Sequence, residues 1–416
     1  MDHTTFICRI ASCRYDLPVP QDARHFHLHA AGAALALGGL LIATLFGAAL
    51  HLEHRYFDAL AQKSFELKDQ GLALQKEAFA RPDVLPLYGS SELVKPISDK
   101  ASIFFKRYPT DFTVSPVGKQ GATSLIIAEK LAAIGAPLRG RRVAVSLSPS
   151  FFLAHEVRSS GYTGNFSTMQ AGECIFGSEL SPELRREYAR RMSQFPGTLR
   201  SHALLSFAIQ RLVAGTPCDR LLYDIAVPFG RAVNAIVRLQ DHLATGTFIV
   251  RHLGQLKAPP HRGSELDWEH LVERWTQRST PFRPRHEDQV LKQQKLFPGD
   301  ADFVARLERS AEWADLDLLI RTLRELGAKP LILGIPMNGL YFDGVGISAS
   351  ARRRYYEMLE ALAAREHVAV LDFREHELDA RFFADTHDHL SPKGWIYFDQ
   401  ALDAFYHDRP LSFVSR

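Results

Sequence analysis

The sequence predicts an α/β protein with a parallel β-sheet between layers of helices, a helical insertion, and one transmembrane helix before the sheet begins. Three observations lead to this fold class. The stretch 30–50 carries no charged residue. Short apolar runs alternate with glycine-containing turns and helical patterns both before and after the middle of the chain. The middle itself, at about 180–325, shows mostly helical spacing of its apolar residues.

Length and composition fit a folded globular protein. The chain has 416 residues, of which 46% are hydrophobic and 23% charged. A formal net charge of +3, without a basic stripe interleaved with aromatic residues, excludes nucleic-acid binding as the main function. Four cysteines are too few for a disulfide scaffold, and their spacing to histidines does not resemble a structural zinc site. Whether Cys174 and Cys218 form a disulfide is left open by the sequence.

The stretch 30–50 predicts a retained membrane anchor. As a helix it would span about 30 Å, the thickness of the hydrocarbon core of a bilayer. The alternatives are a buried helix and a signal peptide, but a signal peptide rarely follows a tail of almost thirty residues. Lysine and arginine counts on the two sides do not decide the orientation. The large region after a short tail predicts that residues 1–29 form a cytoplasmic tail and that the body lies on the extracytoplasmic side of the cell membrane.

The rest of the chain is predicted as a helical stalk at 51–80, which would lift the body off the bilayer, and one domain at 81–416. Strands are expected at 84–88, 112–114, 142–147, 330–335 and 368–371. Helices are expected at 122–134 and 349–366, and a loop or lid at 257–290 interrupts the helical insertion. This order of elements is typical of a parallel sheet with helices on both faces.

The first chemical pattern is the turn Gly89-Ser90-Ser91-Glu92, directly after the first predicted strand. Reactive groups of parallel sheets collect at the carboxyl ends of strands. Glycine permits a sharp turn there, and the start of a helix supplies backbone N–H donors. A serine that attacks a carbonyl and then stabilises an oxyanion needs these features. Taken alone the pattern is weak, because such turns are common in ordinary loops.

The second pattern is Asp385-Thr386-His387-Asp388-His389, just before a Ser-Pro helix start. A nucleophilic serine needs a base with a pKa near neutrality and a carboxylate that orients that base. An aspartate and a histidine on one loop supply both. A polar loop that caps the last helix and a divalent metal site are the alternatives.

Together the two patterns resemble the SGNH-type hydrolases and acyltransferases, and more closely the DltD family of membrane-anchored D-alanyl transfer proteins. The resemblance runs in order from about residue 84 to about residue 402. It rests on stretches that include 89–93, 118–125, 147–152, 267–268, 334–341, 355–356, 389–390 and 393–395.

The resemblance implies a three-layer SGNH-hydrolase-like fold with Ser91 as nucleophile and His389 as base. The family places its acid three residues before the histidine, and here that residue is Thr386, so Asp385 is preferred and Asp388 is the alternative. The N–H groups of Ser91 and Gly121 are expected to bind the oxyanion, with the Asn338 side chain as a further donor. No metal and no cofactor is expected.

The resemblance also implies a function: transfer of D-alanine through a serine ester onto a cell-envelope polymer, of which teichoic acid is the usual example. The expected partner is a membrane-bound acyltransferase of the MBOAT type, which supplies the acyl donor. The alternatives are a polysaccharide O-acetyltransferase, an envelope thioesterase or esterase, and a non-catalytic docking subunit for an acyl carrier. The sequence does not identify the acceptor polymer or the oligomeric state.

Overall fold

The computed structural model describes residues 21–154, 159–258, 263, 265–282, 297–385 and 389–411. The chain separates into two compact units, Met1–Ala48 and Ala49–Arg416. The second unit contains the β-sheet and every residue discussed below as part of the candidate site.

A parallel sheet of five strands forms the centre of the second unit, in the order β2-β1-β3-β4-β5. The strands are β1 Val84–Gly89, β2 Thr113–Gly118, β3 Arg142–Leu147, β4 Lys329–Gly334 and β5 Ala369–Leu371. In the register of β1 and β2, Gly89 pairs with Gly118, so these two strands end level with each other. The turns that follow them therefore meet at the same edge of the sheet.

Helices make up most of the remaining described chain. They are α1 Gln21–Ala61, α2 Glu66–Gln70, α3 Ala73–Ala80, α4 Ser91–Val94, α5 Ala101–Arg107, α6 Ser124–Ile134, α7 Ser159–Asn165, α8 Thr168–Phe176, α9 Pro182–Met192, α10 Pro196–Leu199, α11 Ala203–Ala214, α12 Pro217–His252, α13 Trp268–Arg278, α14 Asp300–Arg309, α15 Glu312–Glu325, α16 Gly339–Gly344, α17 Ala349–Glu366 and α18 Pro392–Tyr406. Short 3-10 turns lie at Ala136–Leu138, Pro149–Leu153, Leu253–Gln255 and Arg374–His376.

The sheet lies between two helical layers because successive residues of a strand point to opposite faces. Val143 and Val145 of β3 are buried in a core with α6, α15 and α17. Ala144, between them, is buried in a second core with α5, α13 and α18. The predicted three-layer α/β fold is thus confirmed.

Each of the five predicted strands is present, with ends that differ by a few residues at most. The region between β3 and β4 contains only helices and loops among its described residues, as the helical spacing predicted. Helix α13 lies inside the stretch 257–290, which was predicted as a loop or lid. Cys174 and Cys218 carry free thiols, so the structure contains no disulfide between them.

The N-terminal helix α1 includes a segment, His27–Ala61, that is long and apolar enough to cross a membrane, with a mean hydropathy of 2.2 in its most apolar part. In the first unit, Leu35, Leu37 and Leu40 are exposed. A long apolar helix with exposed leucines is typical of a segment that lies in lipid. These features support single-pass anchoring at the predicted place.

Residues 51–80, predicted as one stalk helix, form instead the end of α1 and the short helices α2 and α3. The reason is hydrophobic burial. Phe57 and Leu60 of α1 pack with Leu74 of α3 and Ile249 of α12 in one apolar cluster. At the end of α1, the buried Lys68 donates from Nζ to the carbonyl oxygen of Ala61 (2.6 Å). This segment is therefore packed within the second unit. A free stalk would instead leave these side chains exposed.

A buried ion pair between Asp69 and Lys130 links this N-terminal segment to α6. Burial lowers the pKa of Lys130, and the charge of Asp69 partly offsets that effect. We expect Asp69→Ala to destabilise the fold by about 3–5 kcal/mol, because it leaves a buried ammonium without its counterion. Thermal unfolding of the detergent-solubilised chain measures the loss. The control is Glu66→Ala, which removes an exposed pair with Lys119 (3.3 Å) and should cost at most about 1 kcal/mol. Equal shifts for the two variants would contradict the account.

Candidate active site

The turn after β1 is shaped by Gly89 and Glu92. A side-chain carbon on Gly89 would lie 2.2 Å from Oε1 of Glu92, so the position excludes any larger residue while the glutamate keeps its place. That Oε1 accepts a hydrogen bond from the backbone N–H of Ser90 (2.8 Å). The buried carboxylate thereby fixes the backbone just before α4 begins, and Ser91 becomes the first residue of that helix.

The two adjacent serines have different surroundings. Ser90 is buried, and its Oγ accepts the N–H of Gly121 (3.1 Å) and donates to the carbonyl oxygen of Lys119 (3.3 Å). Ser90 therefore ties the turn after β1 to the loop after β2. Gly121 has φ +80°, a left-handed conformation that favours glycine. Ser91 is half-buried, and its hydroxyl points elsewhere.

The loop before the last helix brings an acid and a base to this turn. Phe383 and Leu390 form an antiparallel bridge, and Ala384 donates its N–H to the carbonyl oxygen of His389 (2.8 Å). The loop is closed at its base by these two contacts. Ser391 then caps α18 by accepting the N–H of Gly394 (3.3 Å). Asp388, the alternative acid, lies outside the described residues.

The structure brings Ser91, His389 and Asp385 into one hydrogen-bonded chain. Oγ of Ser91 lies 2.9 Å from Nε2 of His389. Nδ1 of the same imidazole lies 2.6 Å from Oδ2 of Asp385. When Nδ1 donates to the carboxylate, Nε2 carries a lone pair directed at the serine hydroxyl. This is the arrangement that a serine nucleophile, its general base and an orienting carboxylate require.

Asp385 remains ionised in this setting. Burial raises its pKa, but the hydrogen bonds from His389 and Lys95, together with their charges, lower it by a larger amount. The net pKa is therefore well below the usual range for aspartate. An ionised carboxylate is needed to accept the Nδ1 proton and to stabilise an imidazolium.

Asn338, expected as an oxyanion donor, is completely buried and holds the acid loop. Its Nδ2 donates to the carbonyl oxygen of Asp385 (3.1 Å), and its Oδ1 accepts the N–H of Tyr341 (3.2 Å) as the cap of α16. The amide therefore connects the carboxyl end of β4 to the loop that carries the acid.

The other two expected oxyanion donors differ in their bonding. The N–H of Gly121 is directed at Ser90, so it would have to exchange that partner to bind an oxyanion. The N–H of Ser91, as the first in α4, has no acceptor within its own helix. Of the two, the Ser91 N–H is the more readily available donor beside its own Oγ.

Sequence reasoning missed Lys95. Its Nζ forms an ion pair with Asp385 and lies 2.9 Å from Nδ1 of His389. The available signal was its spacing: Lys95 follows Ser91 by four residues, which is one helical turn. No motif drew attention to a lone lysine at that distance.

The contact of Gly89 with Glu92 leads to a prediction. We expect Gly89→Ala to slow the reaction of Ser91 with a serine-directed fluorophosphonate by about 10²-fold, because the new methyl group displaces the carboxylate that positions the turn. The matched control is Gly344→Ala, in α16, where an added methyl group meets no atom within 4 Å. The measurement is the labelling rate at equal folded concentration, and an unchanged rate for Gly89→Ala would contradict the role given to this turn.

Comparison with known proteins places this site in a family. A sequence model of the family described as DltD protein matches residues 63–407, which include all five strands and the three residues of the hydrogen-bonded chain. Protein DltD of Bacillus subtilis (strain 168) is 28% identical over 345 residues, covering 81% of this chain and 86% of that protein. Protein DltD of Staphylococcus aureus (strain NCTC 8325 / PS 47) is 24% identical over 339 residues, covering 80% and 83%. Protein DltD of Lacticaseibacillus rhamnosus is 24% identical over 387 residues, covering 89% and 90%. The chain belongs to the DltD family.

Proposed function

We propose that this protein transfers D-alanine, through an ester on Ser91, to a hydroxyl group of a cell-envelope polymer. DltD proteins take part in the D-alanylation of such polymers. The observation that carries the proposal is the 2.9 Å contact between Oγ of Ser91 and Nε2 of His389, with Asp385 bound at the other ring nitrogen. A serine and histidine so arranged are suited to acyl transfer.

In the first half of the proposed reaction, Ser91 becomes acylated. As Oγ attacks the carbonyl carbon of the donor, its proton passes to Nε2 of His389. Asp385 stabilises the resulting imidazolium through Nδ1, and the N–H of Ser91 donates to the oxyanion. The intermediate then collapses, and the leaving group takes the proton from Nε2.

In the second half the same groups act in reverse. The acceptor hydroxyl gives its proton to Nε2 of His389 and attacks the Ser91 ester. When the second intermediate collapses, Oγ of Ser91 leaves and recovers the proton. The alanyl group is then an ester of the polymer, and the enzyme has returned to its starting state.

The membrane anchor bears on where this reaction takes place. Envelope polymers lie outside the cytoplasm, so the proposal requires Ala49–Arg416 on the extracytoplasmic side. The acyl donor is then delivered through the membrane, and the proposed partner is a membrane-bound acyltransferase of the MBOAT type. The acceptor is a polymer with free hydroxyl groups, such as a teichoic acid or another envelope glycan.

Substitution of the three chain residues tests the reaction. Ser91→Ala and His389→Ala should each abolish transfer, and the double variant should lose little more, because the two side chains act as one unit. Asp385→Asn should keep the fold but lower activity by about 10³- to 10⁴-fold, the scale seen when a catalytic histidine loses its orienting carboxylate. The measurement is the D-alanyl ester content of the envelope in cells that express each variant at equal level.

Ser90→Ala is the matched control for the nucleophile, since the two serines are adjacent. It removes the contacts with Lys119 and Gly121 but leaves Oγ of Ser91 in place, so the loss should be far milder. Normal transfer by Ser91→Ala together with complete loss in Ser90→Ala would show that Ser90, and not Ser91, is the nucleophile. Normal transfer by both variants would refute the acyl-serine mechanism and favour a docking subunit.

The proposed topology has its own test. Protease added to intact spheroplasts should digest the body and spare a fragment that contains the tail and the anchor, because the second unit is expected outside the cytoplasm. The readout is immunoblotting with tags at the two ends of the chain. A C-terminal tag that stays protected until the membrane is broken would contradict this orientation.

A further inference from the structure

Lys95 lies at the end of the helix that presents the proposed nucleophile. Its backbone N–H donates to the carbonyl oxygen of Ser91 (2.9 Å), which completes the single turn of α4. Nζ of Lys100 donates to the carbonyl oxygens of Leu93 (2.9 Å) and Lys95 (3.0 Å) and so holds the same end of the helix. The backbone of Lys95 is thus fixed relative to Ser91.

The Lys95 side chain faces the acid and the base together. Nζ donates to Oδ2 of Asp385 and lies 2.9 Å from Nδ1 of His389. Oδ2 is also the oxygen that lies 2.6 Å from Nδ1. Nζ of Lys95, Oδ2 of Asp385 and Nδ1 of His389 therefore all lie within hydrogen-bonding distance of one another.

The protonation states of Nζ and Nδ1 determine how these atoms bond. An ammonium group only donates, so Nζ and a protonated Nδ1 cannot bond to each other, and both donate to Oδ2 of Asp385. In the opposite tautomer, Nδ1 would accept a hydrogen bond from Lys95, and Nε2 would carry the proton. Nε2 could then not accept the hydroxyl proton of Ser91. A charge-assisted bond to a carboxylate is stronger than a bond to a neutral imidazole. Pairing with Asp385 therefore favours the tautomer in which His389 can act as a base.

We propose that Lys95 is a positioning residue that acts through Asp385 and His389, an inference that rests on the proposed function of Ser91. Lys95 holds the carboxylate against Nδ1, and its positive charge opposes protonation of the imidazole. His389 consequently stays neutral, and able to accept the proton of Ser91, down to a lower pH than it would without the lysine.

The surrounding charges support an effect of moderate size. Asp385 and Lys95 both lie within hydrogen-bonding distance of Nδ1 of the imidazole. Glu92, although on the same helix, directs its carboxylate at the N–H of Ser90. The side chains of Lys95 and Asp385 are 37% and 30% exposed, so water screens their charges. We therefore expect loss of the Lys95 charge to move the histidine titration upward by about one pH unit.

A purely structural lysine would behave differently from this proposal. If Lys95 only fastened the acid loop to α4, Lys95→Met would lower the rate by the same factor at every pH. If its charge acts on the base, the acid limb of the pH profile moves to higher pH. Lys95→Arg keeps the charge, so its acid limb should coincide with that of the unchanged protein even where its rate is lower.

The experiment measures fluorophosphonate labelling of Ser91 in the full chain in detergent micelles, from about pH 5 to about pH 9, the range in which histidine titrates. Lys95→Met should move the acid limb upward by about one pH unit, so that labelling at the midpoint of the unchanged protein falls by about fivefold. Lys100→Met is the matched control, because it weakens the end of α4 without touching the acid or the base. It should lower the rate without moving the limb.

Two outcomes would overturn the role of Lys95. One is an acid limb that stays in place in Lys95→Met. The other is an acid limb that moves in Lys95→Arg or Lys100→Met by as much as it moves in Lys95→Met. If Lys95→Met lacks the unfolding transition of the parent protein, Lys95→Gln replaces it in the same comparison. Failure of the acyl-serine step proposed for Ser91 is distinct, because Ser91 in the unchanged protein would then not be labelled at any pH.

Discussion

The hydrogen bond between Ser91 and His389 is the contact on which the proposed function of this fold depends, and it joins residues 298 positions apart in the chain. The serine follows β1, near the middle of the sheet, whereas the histidine loop follows β5, at the edge. The chain must therefore return from the edge strand, past β4 and β3, to reach the end of β1. A parallel sheet makes this return short, because all its strands end on the same side.

The returning segment is fixed at several points along its path. The buried Arg352 of α17 binds Glu377 and Asp343, and Gly339 donates its N–H to the carbonyl oxygen of Glu377 (2.9 Å). Asn338 then holds the backbone of Asp385. Through these contacts, α16 and its cap residue Asn338 hold the loop that carries Asp385 in place. A site assembled from residues far apart in sequence needs such support, because a misplacement of about 1 Å can cost 10²-fold in rate.

The alternation of short apolar runs and glycine turns predicted all five strands, since a strand buried on both faces leaves a continuous apolar run such as 143–145 of β3. The meeting of Ser91, His389 and Asp385 could be expected because each lies in a short motif that suits its proposed chemistry. The contacts of Asn338 and Lys95 could not be expected, because each joins elements far apart in sequence. The packing of residues 51–80 was missed for a similar reason: their apolar side chains are covered by α12, far along the chain.

The most direct test of this account is to trap the acyl-enzyme and weigh it. The protein is expressed together with a D-alanine-activating ligase, an acyl carrier and a membrane acyltransferase, quenched in acid, and analysed by peptide mass spectrometry. The account predicts that the peptide containing Ser91 gains the mass of one D-alanyl group in the unchanged protein and that Ser91→Ala gains none. A D-alanyl group found on another residue, or envelope D-alanylation that persists in Ser91→Ala cells, would contradict it.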